Sequence, residues 1–205
     1  MPELTKVVLA TGNAGKIVEM TDILHPYGWE VIPQSQFFDS EVEETGLTFI
    51  ENAILKARYA SEQTGLPAIA DDSGIEVSAL KGQPGIYSSR YSQDIYGEQA
   101  NDQTNLKKLL DELKSVPQGQ RQASYYCAMV YVEHAEDPIP IIGLGRWYGD
   151  ILEAPRGDGG FGYDPVFWVE ELDKTAAELP KAQKNRMSHR GQALNSLVMQ
   201  LRRGA

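Results

Sequence analysis

The chain has 205 residues, 29 acidic against 19 basic, a net charge of −10 and one cysteine. This length predicts a single domain over 1–205, with room for two lobes. The charge argues against nucleic acid as a partner, and Cys127 alone can form neither an intrachain disulfide nor a cysteine metal cluster.

Ala123 to Val132 is the longest largely apolar run and is too short for a membrane helix, so no membrane association is expected. Met1 to Val8 has no long apolar run and does not look like a secretory leader, which makes the cytoplasm the expected location.

Val7 to Ala10 is an apolar run ended by Thr11-Gly12-Asn13, after which Ile17, Met20, Ile23 and Leu24 recur at helical spacing. The pattern predicts strand, loop, helix. Thr11-Gly12-Asn13-Ala14-Gly15-Lys16 would then offer backbone N–H groups and a helix dipole to an anion, with Lys16 adding positive charge. A Walker A loop is excluded, because it needs glycine at Ala10 and Ser or Thr at Ile17. A phosphate-binding turn and an ordinary glycine-containing turn both remain open.

Thr48 stands three residues before Glu51 and directly ahead of Phe49, Ile50, Ala53, Ile54 and Ala57, a capping-box signature for a helix ending near Gly65. Ala68 to Ala70 predicts a very short buried strand running into a turn at Asp71-Asp72-Ser73-Gly74, with Ile75 to Leu80 extended. Hard oxygen ligands on short turns suit Mg²⁺, and one carboxylate could act as base toward a water. Asp71-Asp72 and Glu43-Glu44 are therefore the candidate acidic set, against the plainer reading that the aspartates only hydrogen-bond their own turn. Leu106, Leu109, Leu110 and Leu113 mark a further helix.

Tyr125 to Val132 and Ile139 to Leu144 read as strands of a hairpin, linked by a polar stretch with Asp137-Pro138. Gly157, Gly159 and Gly162 match G-x-G-x-x-G, but they follow Pro155 and lead into Tyr163-Asp164-Pro165 and an apolar strand, which excludes a dinucleotide fingerprint. What remains is a loop whose Phe161 and Tyr163 either stack on a base or plug the core, and whose Asp164 could read a base edge.

Lys181, Lys184, Arg186, His189 and Arg190 then crowd into ten residues, with Ser188 placed to cap a helix beginning at His189. Cations at a helix start oppose the dipole unless an anion binds there. Gln192 to Arg202 reads as the closing helix, with Leu194, Leu197, Val198 and Leu201 on one face. Cys127 reads as a small core residue, and His25 and His134 as surface residues. Interleaved helices and strands plus one hairpin predict an α/β fold with a mixed sheet.

Seven blocks, running in order across nearly the whole chain, resemble the inosine/xanthosine triphosphate pyrophosphatase family of noncanonical purine nucleotide hydrolases. They are Leu9 to Lys16, Glu43 to Ala53, Ala70 to Gly74, Pro84 to Tyr91, Gly159 to Pro165, Thr175 to Leu179 and Ser188 to Gly191. The resemblance implies an elongated α/β fold with flanking helices, two lobes around a deep substrate cleft, and usually a homodimer. It implies Mg²⁺ as cofactor, a nucleoside triphosphate such as ITP, dITP or XTP as substrate, and release of pyrophosphate and a monophosphate.

Carried over by residue, Thr11, Gly12, Asn13, Ala14, Gly15 and Lys16 would hold phosphates. Asp72 would be the catalytic carboxylate and a metal ligand, with Glu44 as second ligand and Glu43 the weaker alternative. Ser73, Phe161, Gly162, Tyr163, Asp164, Lys184, His189 and Arg190 would complete the substrate pocket, the loop and the His-Arg pair facing the purine. Pro180, Ala182 and Gln183 depart from the more acidic residues common there. Two rival readings stand: a pyrophosphatase for other modified nucleotides, and a non-catalytic nucleotide-binding regulator.

Overall fold

The computed structural model describes residues 5–11 and 14–202. In chain order they form β1 (Thr5–Leu9), α1 (Ala14–Leu24), β2 (Trp29–Pro33), α2 (Phe49–Thr64), β3 (Ala68–Val77), α3 (Gln93–Tyr96), α4 (Asp102–Glu112), β4 (Gln122–Val132), β5 (Ile141–Ile151), β6 (Phe167–Val169), β7 (Lys174–Thr175), α5 (Lys181–Met187) and α6 (His189–Leu201). The strands make one mixed sheet in the order β2-β1-β3-β4-β5-β6-β7.

β1 runs parallel to β2 and β3, whereas β6 is antiparallel to β5 and β7. β4 and β5 are sheet neighbours, and the link from Glu133 to Pro140 is too short for a parallel crossover, so they form the expected hairpin.

The segment after Ala70 differs from the sequence expectation. Asp71-Asp72-Ser73-Gly74 is not a turn but the middle of β3, one unbroken strand of ten residues. β1 pairs with β3 at Ala68 and Ile69, ahead of this segment, so it is hydrogen bonding to β4, the neighbour on the other edge, that outweighs the local turn preference of Asp and Gly. The chain leaves the strand only at Ser78–Leu80, a single 3₁₀ turn, so the extended reading of 75–80 holds only as far as Val77.

The α2 cap is as expected. Thr48 is extended, its side chain accepts the Glu51 N–H, and Gly65 ends the helix in the left-handed conformation at φ 67°. The Glu51 carboxylate reaches back to the Leu47 N–H and the Thr48 hydroxyl, both at 2.9 Å.

The chain divides into two compact units. The first comprises the chain up to Asp72, Cys127–Gly145 and the chain from Arg190 onward; the second comprises Ser73–Tyr126 and Arg146–His189. In the first, Val7, Leu9, Ile69, Cys127 and Met129 pack with Met20 and Leu24 of α1 and Leu194 and Leu197 of α6. Strand side chains alternate, so this odd-numbered face belongs to α1 and α6, while buried Ala53, Ala57 and Ala60 let α2 lie close on the other side of β1. The core of the second unit gathers Ile75, Val77, Leu109, Leu113, Trp147, Ile151 and Phe167.

Candidate active site

The acidic set lies in the first unit. Asn52, buried on α2, accepts the Gly46 N–H at 2.8 Å and so ties the segment carrying Glu44 to the helix. One turn further along α2, Lys56 donates to Glu44 Oε1 at 2.9 Å and to Asp72 Oδ1 at 3.2 Å. Glu43 is exposed, whereas Glu44 is partly buried.

Because successive strand residues point to opposite faces, Asp71 and Asp72 part company. Asp72 turns toward α2 and Lys56, and Asp71 toward α6, where Arg190 Nε lies 3.7 Å from its Oδ2. The two aspartates that are adjacent in sequence therefore have different ion-pair partners, although both charges act on Lys56.

Burial pushes the Asp72 carboxyl up; the Lys56 ammonium opposes this, Glu44 adds to it, and the result lies above the ordinary carboxylate value. Burial by itself would lower the Lys56 pKa, but Asp72, Asp71 and Glu44 outweigh it and keep the ammonium firmly charged. Glu44 and Asp72 already converge on one cation, as a divalent metal requires. Among the described residues no group of three or more His, Cys, Asp or Glu could hold a metal. Mg²⁺ needs no more than one or two carboxylates, taking its other ligands from water and phosphate.

The predicted phosphate loop follows β1. Gly12 and Asn13 lie outside the described residues, as do the side chains of Ala14, Gly15 and Lys16. The backbone from Ala14 to Lys16 opens α1 as expected.

Of the other candidate residues, Ser73, Phe161 to Asp164, Lys184 and His189 belong to the second unit and Arg190 to the first. Gly157, Gly160 and Gly162 adopt φ of 81°, 76° and 60°, and no helix follows them, so the G-x-G-x-x-G match is incidental. Asp164 is buried inside the loop rather than displayed by it: its carboxylate accepts the Tyr125 hydroxyl at 3.2 Å, the Phe161 N–H at 2.9 Å and the Lys184 ammonium. Tyr163 plugs the core and donates its hydroxyl to the Ser88 carbonyl at 2.7 Å. Phe161 stays 51% exposed, with the Lys184 ammonium 4.9 Å from its ring centroid.

The Gly162 N–H donates to Asp102 at the start of α4. His189 is buried and stacks on Tyr125, 4.6 Å between centroids and 9° between planes. Ser73 is partly exposed on β3. The late cations thus separate: Lys184 pairs with Asp164, Arg190 faces Asp71, and Lys181 and Arg186 are exposed.

The sequence model of the Ham1 family matches residues 7–200. The chain belongs to the Ham1 family. It is 57% identical over 201 residues to the dITP/XTP pyrophosphatases of Shigella flexneri and Escherichia coli O157:H7, covering 98% of this chain and all of each relative. Among solved structures it is similar to a HAM1 protein from Coxiella burnetii, with 46% identity and a TM-score of 0.91, and to the Ham1 protein of Staphylococcus aureus, with 40% identity and a TM-score of 0.87. Each covers 98% of this chain and 100% of the other.

Within this Ham1 fold, three residues of the two sets escape a reading of the sequence. Lys56 had a signal, since it lies four residues from Asn52 and so on the same helical face. Ser88 and Tyr125 had none, because a small polar residue in a loop and a tyrosine in an apolar strand look like packing.

Proposed function

We propose that this protein hydrolyses noncanonical purine nucleoside triphosphates, the inosine and xanthosine class, to the monophosphate and pyrophosphate, clearing them from the nucleotide pool. The observation that carries the chemistry is the convergence of Glu44 and Asp72 on the Lys56 ammonium, in a chain matched end to end by enzymes named dITP/XTP pyrophosphatase. That full-length match weighs against a non-catalytic regulator. No helix among the described residues is long and apolar enough to cross a membrane.

In this reading Glu44 and Asp72 would hold Mg²⁺, which would supply positive charge against the triphosphate. The start of α1 after Thr11, with Lys16, receives phosphate oxygens. Asp72, whose pKa burial raises, takes the proton of a water that attacks the α-phosphorus; the bond to the bridging oxygen breaks and pyrophosphate leaves. Lys56 keeps the two carboxylates close by offsetting their repulsion.

Base recognition falls to the loop at Phe161 and to the His189-Arg190 pair. Phe161 offers an exposed aromatic face, and His189 and Arg190 offer hydrogen-bond donors to a 6-oxo group. Adenine has an amino donor there, so it would leave the protein donor unpaired. A homodimer in the cytoplasm completes the proposal.

The test is incubation with ITP and Mg²⁺, scoring pyrophosphate against orthophosphate. Pyrophosphate with ITP preferred over ATP and GTP supports the reading. Orthophosphate makes the protein a phosphatase, and no product leaves a binding protein.

A further inference from the structure

Asp164 needs its neighbours. A buried carboxylate is tolerable only when several donors satisfy it, and here the donors divide between the two oxygens: Oδ1 takes the Tyr125 hydroxyl, and Oδ2 takes the Phe161 N–H and the Lys184 ammonium. The exposed Phe161 ring and the Lys184 ammonium above it are therefore anchored to one carboxylate. That carboxylate is in turn anchored to β4 through Tyr125. The glycines around it leave the loop little stiffness of its own, so this anchor decides where Phe161 stands.

The ring of Tyr125 performs a second task. It is 7% exposed and wedged among aromatics, 4.6 Å from Phe167 and 6.4 Å from Trp147, which leaves it little rotamer freedom. His189 lies nearly parallel to it at 4.6 Å. A fixed ring under the imidazole sets the plane in which His189 can present an N–H.

We infer that Tyr125 is a positioning residue for base selection, its hydroxyl holding the Asp164–Phe161–Lys184 assembly and its ring holding His189. The inference rests on the proposed hydrolysis of inosine-type triphosphates. It adds that one side chain in β4 couples the loop and the helix start that meet the base. The two halves of Tyr125 are separable by substitution.

Tyr125→Phe keeps the ring and removes the hydroxyl. It is expected to raise KM for ITP about tenfold with a smaller change in kcat, and to leave the ITP-over-ATP ratio of kcat/KM near that of the wild type. Tyr125→Leu removes both and is expected to lower that ratio about tenfold as well. Side-chain NMR of His189, one of three histidines, gives a readout independent of activity: its side-chain couplings and Overhauser contacts, which do not change merely because a neighbouring ring current is lost, become averaged in Tyr125→Leu and stay in Tyr125→Phe.

A role in packing alone would lower the melting temperature of both variants while KM, preference and the His189 couplings stayed at wild-type values, and that result overturns the inference. Wild-type protein releasing no pyrophosphate from ITP would instead overturn the functional reading, with the NMR comparison still deciding whether Tyr125 holds His189. If Tyr125→Leu fails to fold, Tyr125→Phe alone decides, through KM.

Discussion

The Lys56 ammonium lies 3.2 Å from Asp72 Oδ1, joining the second turn of α2 to the middle of β3. The lysine lowers the cost of a carboxylate that burial has pushed up. Asp72→Asn is expected to reduce kcat roughly 10²- to 10⁴-fold if the carboxylate is the base. Mg²⁺ must displace the proton from Asp72, so the apparent Mg²⁺ affinity should fall as pH drops through the raised pKa of the metal-free carboxylate, above the ordinary carboxylate range. Lys56→Met removes the cation that opposes the rise, so this fall should begin at higher pH. A pH profile of Mg²⁺ affinity that does not move would sink the coupling.

Gly160 has φ of 76°, and a Cβ there would lie 2.9 Å from Asp164 Cγ. Gly160→Ala should therefore strain the loop and displace the carboxylate that holds Phe161 and Lys184, at a cost of about 1–3 kcal/mol. Thermal melting measures the cost, and an increase in KM for ITP without a matching loss in kcat shows that the loop has moved.

Gly143 on β5 lies directly under the backbone of α6. A Cβ there would sit 2.7 Å from the Leu197 backbone nitrogen and nearer still to the Ala193 carbonyl. Backbone cannot yield as a side-chain tip can, so Gly143→Ala is expected to destabilise by about 3 kcal/mol, read as a lower denaturant midpoint at unchanged slope. Gly119, which has open space around its Cβ position, is the control and should tolerate alanine.

Asp137 organises the turn between β4 and β5, accepting the Glu133 N–H at 2.9 Å and the Ile139 N–H at 2.8 Å. Burial acts to raise its pKa, but the two backbone donors with His134 and Arg58 outweigh this and leave it lowered. A lowered folded-state pKa means that the stabilisation is complete above the unfolded value near 4 and fades as pH falls through the folded one. Asp137→Ala should cost about 1–3 kcal/mol at pH 7. The gap to wild type should narrow in acid, and a gap that stays constant from pH 7 to pH 3 would contradict this.

Much of the architecture could be read locally. Thr48, Glu51 and Gly65 bracket α2 because a cap and a left-handed terminus are decided within a few residues. The apolar run of β1 and the helical spacing after it placed α1 for the same reason. The Asp71-Asp72 segment failed as a turn because sheet partners distant in sequence supplied its hydrogen bonds.

By itself the sequence determined an acidic α/β chain whose ordered blocks resemble the inosine/xanthosine triphosphate pyrophosphatases and point to the chemistry of a triphosphate. Only tertiary structure decided how those blocks are used. Strand alternation sent Asp72 to Lys56 and Asp71 to Arg190, and burial turned Asp164 from a displayed carboxylate into the anchor of its loop. Tyr125 gained its role from His189, 64 positions along the chain. Such roles depend on which face a side chain takes and what lies beyond it, and neighbours in space are set by the packing of the whole chain rather than by local spacing.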